Sequence, residues 1–423
     1  MHHFEYRDGV LHAEDIPLDR LAGEIGTPFY CYSAATLRRH YSVFADAFKG
    51  QDTLVAFSVK SLSNVAVLSL LAKLGAGADV VSGGELFRAL RAGIPGEKIV
   101  FSGVGKTRAE MADALKAGIC QFNVESEAEL IALDEVARSM NVRAPVALRV
   151  NPDVAAGSHD KISTGRKTDK FGISWSIAAD VYARAATMEG IDVSGVDVHI
   201  GSQITDLAPF GSAFSKVAAL VSTLRDQGHD IRRLDLGGGL GVPYHHQDAT
   251  PPPPHPLDYA KVIHETASHL DLQLIFEPGR MIAGNAGILV ARVTYLKENE
   301  GRHFAILDCG MNDLIRPALY DAWHDIIPVT EPAEGVGTSL IDIVGPVCES
   351  TDRFARNRDM PPLKPGDLVA FLTAGAYGAV QGNEYNTRPL APELLVDGDR
   401  HAIIRRRPTY DEMIAREDVP DWV

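Results

Sequence analysis

Residues 54–64 read LVAFSVKSLSN: an apolar, β-prone run that ends in Lys60 and passes through polar residues into a helix-like segment, Ser63–Leu74. The same rhythm repeats on the C-terminal side. Further strand candidates are ADVVS (78–82), KIVFS (98–102), CQFNV (120–124), VALRV (146–150), VDVHI (196–200), RRLDL (232–236) and LQLIFE (272–277). Between them lie Gly84–Ala92, Arg108–Ala117, Glu127–Met140, Ile177–Met188, Phe210–Gln227 and Leu257–His269, with apolar residues at helical spacing. Parallel strands need helical crossovers, so eight such alternations predict a (β/α)8 TIM-type barrel.

The rhythm stops near residue 287. Beyond it, ILVARVTYL (288–296), HFAILDC (303–309), SLIDIVG (339–345), DLVAFL (367–372) and ELLV (393–396) are separated by turns and predict a mainly antiparallel β-barrel or sandwich. The short pieces Phe4–Tyr6 and Pro28–Tyr32, around a helix-like DIPLDRLAGEIG, are expected to complete that β domain. The expected division is therefore 1–33 as N-terminal strands of the β domain, 34–285 as the barrel and 286–423 as the C-terminal β domain. A chain of 423 residues exceeds one ordinary core and fits two domains.

Composition narrows the partners. The 41 basic and 56 acidic residues leave a formal charge of −15 with no long basic block, which disfavours nucleic acid and anionic membrane. Cys31, Cys120, Cys309 and Cys348 are widely spaced without a CxxC pair, so no zinc site or disulfide framework is expected. The first residues lack an apolar signal core, and no run is long enough to span a bilayer, so a cytoplasmic location is expected. PPPPHP (251–256) reads as a stiff connection, and the polar 151–172 stretch as a loop over the barrel mouth.

Barrel chemistry sits on the loops that follow the strands. Six strand ends carry polar motifs: Lys60, SGGE (82–85), Arg149–Asn151, His199 with Gly201–Gln203, GGGLG (237–241) and Glu277–Arg280. Each has a plain reading beside a chemical one. Lys60 is either a solvated strand-end lysine or a desolvated amine able to attack an aldehyde. The glycine run either makes tight turns or lets backbone N–H groups approach a phosphate. Glu277 is a partner for Arg280 or a carboxylate facing a ring nitrogen; His199 is a core histidine or a flat ring against a cofactor; Arg149 is equally well a structural ion pair. A lysine, a phosphate cradle and an acid for a ring nitrogen together specify pyridoxal 5'-phosphate.

These residues, with TPFYCY, DCGMNDLIRPALY, GPVCESTD and AGAYG, resemble the fold type III, alanine-racemase-like pyridoxal-phosphate decarboxylases, and within them the branch acting on diaminopimelate. The resemblance spans nearly the whole chain. It implies that Lys60 links to the cofactor and His199 stacks on its ring. It places Ser202, Gly239, Gly279, Arg280 and Tyr377 around the phosphate and Glu277 at the pyridine nitrogen. It implies that Arg280, Arg316 and Tyr320 bind substrate carboxylates, that Glu349 binds the distal amine, and that Cys348 is the proton donor. It also implies a homodimer in which the Cys348–Glu349 segment completes the partner subunit's site.

The implied reaction converts meso-2,6-diaminopimelate to lysine and carbon dioxide. Its substrate has a distal end with both an ammonium and a carboxylate, matched by Glu349 and Arg316. Ornithine and arginine decarboxylases have no distal carboxylate to bind, and a carboxynorspermidine decarboxylase or a silent pyridoxal-phosphate-binding homologue stays open. So do plain readings of Arg316 as a surface ion pair, Cys348 as a small buried hydrophobe and Tyr377 as packing. Cys309, in DCGMND, stands where alanine is more usual.

Overall fold

The structure is a computed structural model that describes residues 2–154, 170–245 and 252–423. The chain forms two compact units, one of Met1–Leu37, Pro243–Ala249 and Ala283–Val423, the other of Arg38–Val242 and Thr250–Ile282.

The second unit is the barrel. Its strands are β1 (Thr53–Ser58), β2 (Gly77–Val80), β3 (Ile99–Phe101), β4 (Gln121–Val124), β5 (Ala144–Asn151), β6 (Ile191–Asp197), β7 (Arg233–Asp235) and β8 (Gln273–Phe276). Each pairs in parallel with its neighbour, and β8 pairs with β1, closing the eight-stranded ring. The short apolar runs suit this position because each strand is covered on both faces. Phe48 stacks on Phe276, the last residue of β8, at 4.2 Å between ring centroids, and Phe210 meets Tyr259 edge-on at 4.9 Å. The helix Arg108–Ala117 shows how local chemistry sets boundaries: Thr107 and Glu110 form a capping box, and Gly118 takes φ 64° at its end. Part of the proline stretch begins a helix, with His255 capping Pro256–Ala267.

The other unit is built on the long strand Gly287–Asn299, which pairs antiparallel with Phe29–Ser33, Arg302–Leu307 and Leu368–Phe371. Phe29–Ser33, the predicted PFYCY segment, lies inside this sheet and also pairs in parallel with Glu393–Asp397. Its core joins both ends of the sequence: Phe4, Leu11, Leu21 and Phe29 pack with Ile288, Val290, Ala370 and Leu394. The sheet is mostly antiparallel, with a second parallel pair between Arg302–Leu307 and Ser339–Val344. Among the strands not read in the sequence are Arg353–Met360 and Arg400–Arg405. Both lie at sheet edges, and charged residues interrupt or flank their short apolar pieces, which hides them from an apolar-run criterion.

Candidate active site

At the end of β1, Lys60 sits in a short 3-10 turn, Val59–Ser61. Its Nζ donates to Asp79 Oδ2 at 2.9 Å, and Ser58 Oγ donates to the same oxygen at 2.8 Å. Asp79 is fully buried on β2, so the amine is tethered to a desolvated carboxylate while the Lys60 side chain itself stays 38% exposed. The loop after β8 closes on this turn: Ser58 N–H donates to Pro278 O at 3.2 Å, and a Cβ on Gly279 would lie 3.0 Å from Ser58 and Ser61.

The glycine run lets three loops meet backbone to backbone. A Cβ on Gly238 would stand 2.4 Å from Glu277 O, and one on Gly239, at φ +117°, 2.6 Å from Gly201 O. Gly238 N–H donates to His199 Nδ1 at 3.2 Å, so the ring proton belongs on Nε2. Burial first, then the charges of Arg149 and Lys60, holds the His199 pKa well below the usual histidine value, and the ring is neutral. His199 lies two residues past the end of β6 rather than within it. Beside the glycines, buried Arg280 donates from Nη2 to Ser202 Oγ at 3.1 Å.

Inside the ring, Glu277 meets a layer of polar residues absent from the sequence prediction, Ser102, Asn123 and Asp235. Glu277 Oε1 accepts from Ser102 Oγ at 3.0 Å and from Asn123 Nδ2 at 3.1 Å. Asn123 Nδ2 also donates to Asp235 Oδ2 at 3.0 Å, and Gly237 N–H to Asp235 Oδ1 at 3.0 Å. Burial, reinforced by the charges of Asp235, Asp79 and Asp197, raises the Glu277 carboxyl well above its ordinary value. Asp235 is pushed up to about 7, mainly by burial. Arg149 donates from Nη1 to Glu125 Oε1 at 2.9 Å and lies 4.0 Å from Asp197, which favours its reading as a structural ion pair. The SGGE motif starts a helix: Ser82 Oγ accepts from Glu85 N–H at 3.2 Å and Glu85 Oε2 from Val81 N–H at 2.8 Å.

In the β unit, Arg316 begins the short helix Arg316–Tyr320 and is buried, against its reading as a surface ion pair. Tyr320 Oη accepts from Gln381 Nε2 at 3.4 Å. Cys348 is exposed, which removes its reading as a buried hydrophobe. Exposed Glu349 accepts from Tyr385 Oη at 2.7 Å. Tyr377 occupies the left-handed region at φ 58°, in a turn where a Cβ on Gly375 would meet Ala283 O at 2.1 Å. Most of the predicted 151–172 mouth loop, residues 155–169, falls outside the described residues.

The profile of the pyridoxal-binding domain of pyridoxal-dependent decarboxylases matches residues 34–284. Over the full length, the chain is 51% identical to diaminopimelate decarboxylase of Pseudomonas fluorescens, covering 98% of this chain and 99% of that one. The chain belongs to the diaminopimelate decarboxylase family. Among solved structures of this family, the Helicobacter pylori enzyme complexed with L-lysine matches with a TM-score of 0.90 at 40% identity, covering 95% of this chain and 99% of that one. The M. jannaschii enzyme, also with L-lysine, matches with a TM-score of 0.93 at 38% identity, covering 99% and 98%. Pyridoxal phosphate, the cofactor of this family, suits the residues present. A tethered lysine, a buried arginine beside a glycine cradle that any Cβ would fill, and a buried carboxyl ringed by acids are the groups its aldehyde, phosphate and ring nitrogen require.

Proposed function

We propose that this chain decarboxylates meso-2,6-diaminopimelate to L-lysine and carbon dioxide, the last step of lysine biosynthesis by that route. The observation that carries this reading is a full-length match that runs through both units and includes the segments of Lys60, Arg316 and Glu349.

Each residue type has a role that follows from its chemistry. Lys60 Nζ holds the cofactor covalently, and Asp79 Oδ2 orients that nitrogen. Arg280, Ser202, Gly239, Gly279 and Tyr377 take the phosphate, with backbone N–H groups approaching where no side chain intervenes. Neutral His199 would lie against the ring without adding charge. Glu277 would meet the ring nitrogen with its carboxyl, and the surrounding acids favour a proton held between the two. When bound, pyridoxal phosphate supplies the electron sink for the pair left by departing carbon dioxide.

Arg280, Arg316 and Tyr320 bind carboxylates of the diamino diacid, and Glu349 its distal ammonium. The Cys348 thiol delivers a proton to the carbon that lost carbon dioxide. Exposure of Cys348 and Glu349 in the single chain supports a homodimer in which this segment completes the partner subunit's site. No helix among the described residues is long and apolar enough to cross a membrane, and a cytoplasmic location accords with the proposed metabolic role.

The test is carbon dioxide release by purified protein with pyridoxal phosphate, offered meso-diaminopimelate, ornithine, arginine and carboxynorspermidine side by side. Turnover of diaminopimelate alone is expected. Preference for another substrate would overturn the assignment of Arg316 and Glu349 while keeping the family.

A further inference from the structure

Two residues of the β unit outside the predicted site, His324 and Tyr244, enclose the Arg316 guanidinium. Arg316 Nη1 lies 2.7 Å from His324 Nε2, and His324 Nδ1 lies 2.9 Å from Leu372 O. A guanidinium only donates and a carbonyl only accepts. His324 Nε2 is therefore an acceptor and Nδ1 carries the ring hydrogen, so the two contacts select one neutral tautomer.

The ring itself is held. His324 is 2% exposed, and Arg358 Nη1 donates to its backbone carbonyl at 2.9 Å. Leu372 N–H donates to Asp325 O at 2.9 Å, which ties the accepting carbonyl's residue back to the segment that carries His324. Tyr244 packs edge-on to His324 at 5.3 Å and presents its face to Arg316, 4.5 Å from Cζ to the ring centroid. One nitrogen of the arginine fork is thus held by the imidazole and one face by an aromatic ring.

We infer that His324 is a positioning residue for substrate recognition: it orients Arg316 toward the distal carboxylate of the diamino diacid. The inference rests on the proposed role of Arg316. An arginine fork rewards fixed geometry, because bidentate recognition of a planar carboxylate is lost when the guanidinium turns. An aspartate in place of His324 would orient the arginine too, but it would bring a negative charge that competes with the substrate. A neutral imidazole orients without adding charge.

The experiment compares His324→Leu, His324→Gln and Arg316→Leu holoenzymes. It measures kcat and KM for meso-diaminopimelate, with inhibition by L-lysine, which keeps the distal carboxylate, and by cadaverine, which lacks it. For His324→Leu, KM and the lysine inhibition constant are expected to rise about 10-fold, with kcat within about 3-fold of wild type and cadaverine inhibition unchanged. His324→Gln, which restores an acceptor, should recover most of the loss. If Arg316→Leu weakens lysine while His324→Leu does not, the inference fails and the role of Arg316 stands. If Arg316→Leu itself leaves KM and lysine inhibition unchanged, the proposed role of Arg316 fails and takes the inference with it. Parallel loss of lysine and cadaverine inhibition in His324→Leu, with a fall in kcat, would make His324 merely structural and overturn the inference.

Discussion

Asp79 is the residue that most changes the meaning of Lys60. Its buried carboxylate holds both Lys60 Nζ and Ser58 Oγ on one oxygen, so the amine's position depends on a charge hidden one strand away. Asp79→Asn keeps the size and removes the charge; kcat/KM should fall on the order of 100-fold, as for loss of a group that orients a reacting one. Steady-state kinetics on protein of measured cofactor content checks this, and unchanged kinetics would leave Asp79 a packing residue.

Asp235 makes a pH prediction with a definite sign. Its folded-state pKa is raised from 3.8 to about 7, so the folded protein binds a proton there more tightly than the unfolded chain. The stability from that proton is full below pH ~4 and is lost as pH rises through about 7. Asp197, paired with Asp235 on neighbouring β6, and Glu277, just past the end of neighbouring β8, are raised in the same direction and add to the slope, while Asp79 contributes charge to all three. Thermal unfolding of the cofactor-free protein should therefore show a midpoint that drops between pH 5 and pH 8, and Asp235→Asn should flatten the drop. A wild-type midpoint that climbs over that range would contradict this. Arg149 is the counterweight: Arg149→Met strands Glu125 and Asp197 without their cation and should cost about 3–5 kcal/mol in denaturant unfolding.

At the scale of elements, the glycine run shows why a loop needs its residue type. Gly238→Ala would drive a methyl into Glu277 O, 2.4 Å away, and displace the loops after β7 and β8 against each other. We expect a loss of about 2 kcal/mol and weaker cofactor retention, against about 1 kcal/mol and no cofactor effect for Gly93→Ala, which has φ +89° but open space around it. Spectroscopic titration with pyridoxal phosphate separates the two.

The barrel elements were legible because a buried parallel strand is an apolar run of four to eight residues flanked by helix-spaced segments, a pattern LVAFSV and its seven successors display. Of the candidate site, Lys60, His199, Ser202, Gly239, Glu277 and Arg280 were singled out because barrel chemistry follows strand ends. Ser102, Asn123 and Asp235 were not singled out, since polar residues inside strands were passed over as part of the apolar runs. The signal was present, because a polar side chain on a buried strand must find partners, and these three find one another. Asp79 escaped for the same reason. His324 gave no such signal: its role depends on Leu372 and Arg316 meeting it in space, which no local pattern encodes.

For the whole molecule, the β unit was harder to read than the barrel. Its core joins Phe4 and Leu11 to Ile288 and Leu394, contacts too distant in sequence for periodicity to show, and its edge strands hide behind charge. The proposed homodimer has a direct consequence. Mixing inactive Lys60→Ala with inactive Glu349→Ala should restore roughly a quarter of wild-type activity if each site draws on both subunits, because random pairing rebuilds one intact site in each mixed dimer. No recovery after subunit exchange, with mixed dimers demonstrated, would confine each site to one chain.

The acid-lined mouth around Lys60 is the proposed place where the cofactor is held and the reaction occurs. Borohydride reduction of the protein loaded with pyridoxal phosphate, followed by peptide mapping, tests this. One pyridoxyl group per chain is expected, on Lys60, with the label abolished in Lys60→Ala. Stoichiometric labelling of a different lysine, or none on Lys60, would contradict it.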